Sequence, residues 1–398
     1  MYIKRLIEPA IKKYLSIFPA VVLTGPRQSG KSTLLKTVFS NYAYVTFDKV
    51  SHIEAFDSDP EGFLAKYSDQ VIFDEIQRVP TLFSYIKLLI DQDREKNGKF
   101  ILTGSSQFQL LKSITESLAG RAGNLSLLPF QYSEIPSAQR DKQMLLGSYP
   151  EVVAKKYGNA YEWFDSYIQN YLERDVRQLS QLGNLKDFRK FISLLAARTG
   201  QEFNASSYAS DLGVNYKTIQ SWLSLLEASY IVFSIEPYLH NLGKRLIKRP
   251  KVYFWDTGLA CFLTGIRQKE VLEKGVLGGP VFENYLIAET YKTILHTKKD
   301  QKLYYYRAGS GLEADLIIED REKQKVTFVE IKKNQTARPL MADNIRLLLA
   351  LEEEYHVHTG YMIDGLLLYT GTDSGKFYER IKYQSWKEFL NPASPRRA

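Results

Sequence analysis

At 398 residues the chain is longer than one hydrophobic core ordinarily supports, so two or three domains are expected. Its 44% hydrophobic and 25% charged residues describe a globular chain and exclude a disordered or fibrous one. The net charge of +8, from 53 Lys and Arg against 45 Asp and Glu, favours a polyanionic partner. No apolar run reaches the roughly 18 residues of a membrane span, so no membrane partner is expected. The opening Met1-Tyr2-Ile3-Lys4-Arg5 lacks the apolar core of a secretory signal. A single cysteine, Cys261, excludes an internal disulfide framework and a multi-cysteine zinc site. A cytoplasmic address, with nucleoid association, follows as the expectation.

The first third alternates short apolar runs with helical patterns, the signature of a parallel sheet with crossover helices. Strands are expected at 20–23, 43–47, 70–73 and 99–102. Between the first strand and the helical run Thr33-Leu34-Leu35-Lys36 stands Gly25-Pro26-Arg27-Gln28-Ser29-Gly30-Lys31-Ser32, a G-x-x-x-x-G-K-S loop in the strand-then-helix context that the motif requires. Its glycines let the backbone curl so that successive N–H groups face phosphate oxygens, and the following helix adds its positive end. Lys31 is expected to bridge the β- and γ-phosphates, and the Ser32 hydroxyl to ligate magnesium. Residues 25–33, Thr33 included, are the expected ATP contacts. The apolar strand Val71-Ile72-Phe73 closes in Asp74-Glu75. Asp74 is placed beside the magnesium and Glu75 on the attacking water, so ATP and Mg2+ are the expected cofactors of a hydrolase.

Two such motifs with a strand between them resemble the AAA+ superfamily. Gly25 to Thr33, Phe73-Asp74-Glu75-Ile76-Gln77, Leu102-Thr103-Gly104-Ser105 and Ser117-Leu118-Ala119-Gly120-Arg121 look like a widespread prokaryotic ATPase family. Its members continue into a C-terminal domain of unknown function, matched here by Tyr171-Leu172-Glu173-Arg174-Asp175-Val176 and by Lys251-Val252-Tyr253-Phe254-Trp255-Asp256-Thr257-Gly258-Leu259. The resemblance implies an ATPase core, a helical lid, a winged helix and a nuclease-like terminal domain. It also implies a polar sensor after the strand Phe100-Ile101-Leu102, for which Ser105 or Ser106 is the candidate. An arginine finger is implied as well, with Arg121 the first choice and Arg174 and Arg177 its rivals. A homo-oligomer, with a hexamer as the family-level form, goes with it.

From about residue 130 the pattern turns helical. Ser206 and Ser207 can cap a short helix over 208–212, Gly213-Val214 makes a turn, and Asn215 caps a longer helix over 216–228. Ile219, Trp222, Leu223 and Leu226 share the core face of that helix and leave Tyr216, Lys217, Gln220 and Ser224 outside. The β-branched run 231–235 follows as a wing would. The stretch 240–251 reads HNLGKRLIKRPK, with Lys244, Arg245, Lys248, Arg249 and Lys251 and no acid. Lys217, Gln220, Lys244, Arg245, Lys248 and Arg249 are the candidate DNA contacts.

Near the C-terminus Asp315 opens the apolar run Leu316-Ile317-Ile318, and a second run, 326–332, ends in Glu330-Ile331-Lys332. Residues two apart on a strand share a face, so Glu330 and Lys332 point the same way and Asp315 can join them from the neighbouring strand. This D…E-x-K pattern is that of PD-(D/E)xK nucleases, which commonly add a helical glutamate, here Glu283 behind Gly279-Pro280. Carboxylates about 5 Å apart repel by roughly 3 kcal/mol per pair at an effective dielectric near 20, so Glu283, Asp315 and Glu330 call for Mg2+ or Mn2+. Lys332 is assigned the attacking water.

The expected fold is multidomain α/β. A P-loop ATPase core spans 1–130, a helical lid 131–195 and a winged helix-turn-helix with the basic stretch 196–250. A nuclease-like α/β domain spans 251–390, and 391–398 is a tail. The expected function is ATP-driven processing of DNA with metal-dependent cleavage, branched or structured DNA being the partner. Two alternatives stand beside it: a nucleotide-regulated switch in defence or toxin-like signalling, and a DNA-binding or remodelling ATPase whose nuclease fold does not cut.

Overall fold

A computed structural model describes residues 2–104, 118–172, 185–238, 249–308 and 311–391. Strands β1 (Ala20–Thr24), β2 (Ala43–Thr46), β3 (Val71–Asp74), β4 (Phe100–Thr103) and β5 (Ala122–Ser126) form one all-parallel sheet in the order β2-β3-β4-β1-β5. Every residue of β1, β3 and β4 is buried, which is why these strands read as continuous apolar runs rather than alternating ones. The two faces still divide with period two. Ala20 and Val22 join Phe73, Phe100 and Leu102 under the helices Val50–Ser58, Pro60–Lys66 and Leu82–Gln92. Val21 and Leu23 join Ile72, Ile101 and Leu125 under Glu8–Leu15 and Lys31–Val38. Because β4 lies between β1 and β3, the phosphate loop and the acid pair leave the sheet two strands apart at the same edge.

The middle of the chain packs the helices Pro150–Ala154, Ala160–Tyr167, Leu185–Ala197, Ala205–Leu212, Tyr216–Ala228 and Thr257–Leu263 around one core. Strand β6 (Val232–Ile235) pairs antiparallel with β7 (Lys251–Phe254) beside it. The expected boundaries at 195/196 and 250/251 do not separate cores: Tyr149, Phe188, Trp222, Phe254 and Leu259 all belong to the same cluster. β7 was assigned to the C-terminal domain, but it hydrogen-bonds β6 and turns Val252 and Phe254 into this core. The helix-turn-helix is present with one change at its start. Ser206 and Ser207 lie inside the helix Ala205–Leu212 rather than capping it. Gly213 makes the turn in a left-handed conformation (φ 65°), and the Asn215 side chain accepts from the backbone N–H of Lys217 (2.8 Å). The hydroxyl of Tyr230 reaches Thr24 (2.6 Å) and Ser126 (2.9 Å) on the ATPase sheet.

The C-terminal region is a mixed six-stranded sheet in the order β12-β13-β11-β10-β9-β8. Its strands are β8 (Gln301–Arg307), β9 (Glu313–Asp320), β10 (Lys325–Lys332), β11 (Met362–Tyr369), β12 (Gly375–Tyr378) and β13 (Ile381–Ser385). The long helix Gly278–Thr297 covers one face through Phe282, Tyr285 and Leu286, and Asp343–Thr359 covers the other through Ile345, Leu348 and Leu349. No helix among the described residues is long and apolar enough to cross a membrane.

Candidate active site

The loop after β1 is shaped by backbone that side chains resist. Gly25 (φ 142°) and Gly30 (φ 92°) are left-handed, and a Cβ on Gly25 would lie 2.1 Å from the carbonyl oxygen of Leu127. The Lys31 ammonium donates to the carbonyls of Gly25 (2.9 Å) and Pro26 (2.8 Å), inside the curl that phosphate oxygens would occupy. Burial pushes its pKa down to about 8 against the pull of Glu75 and Asp74. The loop opens onto a cavity of about 590 Å³ lined on its polar side by Arg27, Lys31, Ser32 and Glu75, and elsewhere by Tyr2, Ile3, Phe130 and Pro150.

On β3, Asp74 Oδ2 accepts from the Ser32 hydroxyl (2.8 Å) and from the Tyr44 phenol. Its other oxygen, Oδ1, is buried with no hydrogen-bond partner among the described residues. A lone buried carboxylate oxygen beside a serine hydroxyl fits a hard divalent cation, so Ser32 and Asp74 would hold magnesium, which supplies charge neutralisation at the phosphates. Glu75 follows in a left-handed conformation (φ 56°) that turns its side chain to the cavity, where the Gln77 amide donates to it. Thr103, at the end of β4, stands opposite Asp74 in the register and keeps a buried hydroxyl without a partner among the described residues. The expected sensors Ser105 and Ser106 lie outside the described residues. Sequence reasoning passed over Tyr44, Thr103 and Arg5. Only Thr103 carried a local signal, as the polar end of an apolar strand.

With this geometry in place, comparison with known proteins gives three matches along the chain. A model described as an AAA domain covers residues 18–136, and two domains of unknown function, DUF8612 and DUF4143, cover 137–270 and 278–387. Uncharacterized proteins of Mycobacterium tuberculosis and Mycobacterium bovis are each 32% identical over 311 residues, spanning 78% of this chain and 69% of theirs. The chain belongs to their family, as a P-loop ATPase of the AAA type. A Walker-type ATPase of Pyrococcus abyssi aligns at 16% identity and a TM-score of 0.47, over 66% of this chain and 96% of its own.

The other expected site residues of the ATPase fare unevenly. Arg121 sits at the far edge of the sheet: its backbone carbonyl accepts from the N–H of Ala20, where β1 begins, whereas the phosphate loop leaves the other end. Its guanidinium is forked onto Asp91 (2.8 and 3.0 Å), so in this chain it is an ion-paired arginine away from its own nucleotide site. Arg174 and Arg177 lie outside the described residues, as do Lys244, Arg245 and Lys248. Lys217, Gln220 and Arg249 are exposed. Lys251, counted with the basic stretch, is buried, 3.6 Å from Glu283 and over the Tyr305 ring, and so cannot meet a phosphate.

The C-terminal carboxylates are neighbours but not a metal cage. Burial first and the Asp315 carboxylate second push Glu283 up to about 7 and Glu330 up to about 8. Each has a partner on one oxygen, while Glu330 Oε2 is buried with none among the described residues. Asp315 accepts from the N–H of Ile331 (2.7 Å), Glu330 pairs with Lys332, and Glu283 accepts from the Tyr253 hydroxyl (2.8 Å) beside Lys251. No group of three or more His, Cys, Asp or Glu among the described residues is arranged to hold a metal ion. The expected ligand set Glu283, Asp315 and Glu330 therefore does not converge as drawn from the sequence: lysine ammonium groups answer the charge instead.

Proposed function

We propose that the protein is a nucleotide-regulated switch, in which ATP binding and hydrolysis reset the C-terminal domain. The observation that carries this is a shared junction. Leu127, whose carbonyl closes the back of the phosphate loop at Gly25, is followed by residues whose backbone N–H groups end on the long C-terminal helix. Leu128 donates to His296 Nε2 (3.1 Å) and Tyr132 to Glu289 (2.5 Å). Glu289 in turn pairs with Lys292 (2.8 Å), both buried. A loop that tightens on phosphate thus shares its wall with the helix Gly278–Thr297, and buried polar pairs of this kind resist partial loosening. Hydrogen exchange tests the reading: with a slowly hydrolysed ATP analogue in place of ADP, protection should change in 278–297 and in β9–β10. A pattern identical in both nucleotide states would end it.

A second reading, metal-dependent processing of DNA, is favoured by one oxygen of Glu330, Oε2, which is buried near Asp315 with no hydrogen-bond partner among the described residues. The helix-turn-helix with its β6–β7 ribbon would then serve as a winged helix on DNA, and the six-stranded domain as a PD-(D/E)xK nuclease fold. Cleavage of single-stranded, duplex or branched DNA with Mg2+ or Mn2+, lost in Asp315→Ala and Glu330→Ala, would place this reading first. An oligomer, a ring of six included, belongs to either reading through a finger supplied by a neighbour.

A further inference from the structure

The AAA match begins at residue 18, yet one side chain that holds the phosphate loop comes from before it. Arg5 is 3% exposed, with its guanidinium 4.5 Å from the Phe130 ring. Nη1 donates to the carbonyl of Ser29 (2.9 Å), Nη2 to the carbonyl of Leu128 (2.6 Å) and Nε to Glu134 (3.2 Å). Glu134 also takes the N–H groups of Leu6 (2.6 Å) and Gln131 (2.9 Å), so the fork is locked in place. In a planar trans peptide, a C=O and the next N–H point opposite ways. Holding the Ser29 carbonyl outward therefore turns the N–H of Gly30 inward, toward the phosphates.

We infer that Arg5 is a positioning residue of the ATPase, a cation from outside the AAA domain that keeps the phosphate loop in its anion-binding shape. Its role is distinct from that of Lys31. In this structure Lys31 holds the carbonyls of Gly25 and Pro26, and it must leave them to reach a β- or γ-phosphate. Arg5 has no such second task, and remains on Ser29 while the loop is loaded.

Three variants of the full chain test this: Arg5→Lys, which keeps the charge but loses the fork; Glu134→Gln; and the double variant Arg5→Ala/Glu134→Gln, which leaves no buried charge unpaired. Affinities for ATP, ADP and adenosine are measured by competition, alongside kcat and KM. Arg5→Lys and the double variant should bind ATP and ADP about ten- to a hundredfold more weakly, the range for a lost charge-assisted hydrogen bond. Adenosine affinity should stay within twofold, KM should rise far more than kcat falls, and added ethylguanidinium should partly rescue the double variant. Glu134→Gln, which leaves the fork on Ser29 and Leu128, should lose less than Arg5→Lys. ATP affinity unchanged within twofold, or a parallel loss of ATP and adenosine such as misfolding would give, overturns the assignment.

Discussion

His296 should make the stability of this ATPase fall as pH drops below neutrality. The ring is fully buried at the end of the long C-terminal helix, with Nε2 accepting from Leu128 and Nδ1 without a partner among the described residues. Burial pushes its pKa down to about 3, against Glu134 and helped by Arg5 and Lys292. The unfolded chain takes up a proton near pH 6.5, as an ordinary histidine does. Between those values the unfolded state binds one more proton than the folded state, so stability rises with pH by about 1.4 kcal/mol per unit and is complete above about 6.5. Lowering the pH from 7 to 5 should therefore cost about 2 kcal/mol through this one residue. His296→Gln keeps an acceptor for the Leu128 N–H and does not titrate. Urea unfolding of both proteins at pH 7 and pH 5 isolates the effect, because the other histidines and carboxylates contribute equally to each. An equal loss in both proteins would mean that His296 is charged or solvated in the fold, and would refute the reasoning.

The phosphate loop gives sharper tests. Lys31→Ala should abolish ATP binding, whereas Glu75→Gln should bind ATP normally and hydrolyse it at least about a hundredfold more slowly, as removal of a group acting on water requires. Gly25→Ala should also lose nucleotide binding, since its Cβ would meet the Leu127 carbonyl oxygen at 2.1 Å with φ at 142°; full binding by this variant, measured by calorimetry, would contradict the observed loop.

What the sequence made legible was local. The G-x-x-x-x-G-K-S spacing, the acids closing β3 and the apolar strands around them are set by neighbours within a few residues, and each lies where its pattern put it. The turn at Gly213 and the cap at Asn215 were readable for the same reason. Contacts across long separations were not. Arg5 meets Ser29 and Leu128, and Leu128 meets His296, at separations from 24 to 168 residues that no periodicity encodes. Charge composition is also blind to burial: Lys251, beside four other cations in the chain, is folded against Glu283. Glu283, Asp315 and Glu330 are neighbours without forming the cage read from the sequence: strand alternation sets a shared face for Asp315 and Glu330 only, and Glu283 comes from the helix Gly278–Thr297. The lysines that answer them depend on side-chain reach, which alternation does not specify.

The single core shared by the middle helices has a mechanical consequence. Pro150 and Ala154 border the nucleotide cavity, and their helix packs in the same cluster as Trp222 of the helix Tyr216–Ala228. Close-packed interiors pass displacement on rather than absorb it. Tyr230, hydroxyl-bonded to Thr24 and Ser126 on the sheet next to the phosphate loop, would be the pivot of any such displacement. A small tilt of Pro150–Ala154 on closing over ATP would swing the entire cluster about that pivot. The exposed edge carrying Tyr216, Lys217 and Gln220 would then travel as the far end of a lever arm, through a longer arc than the nucleotide itself imposes.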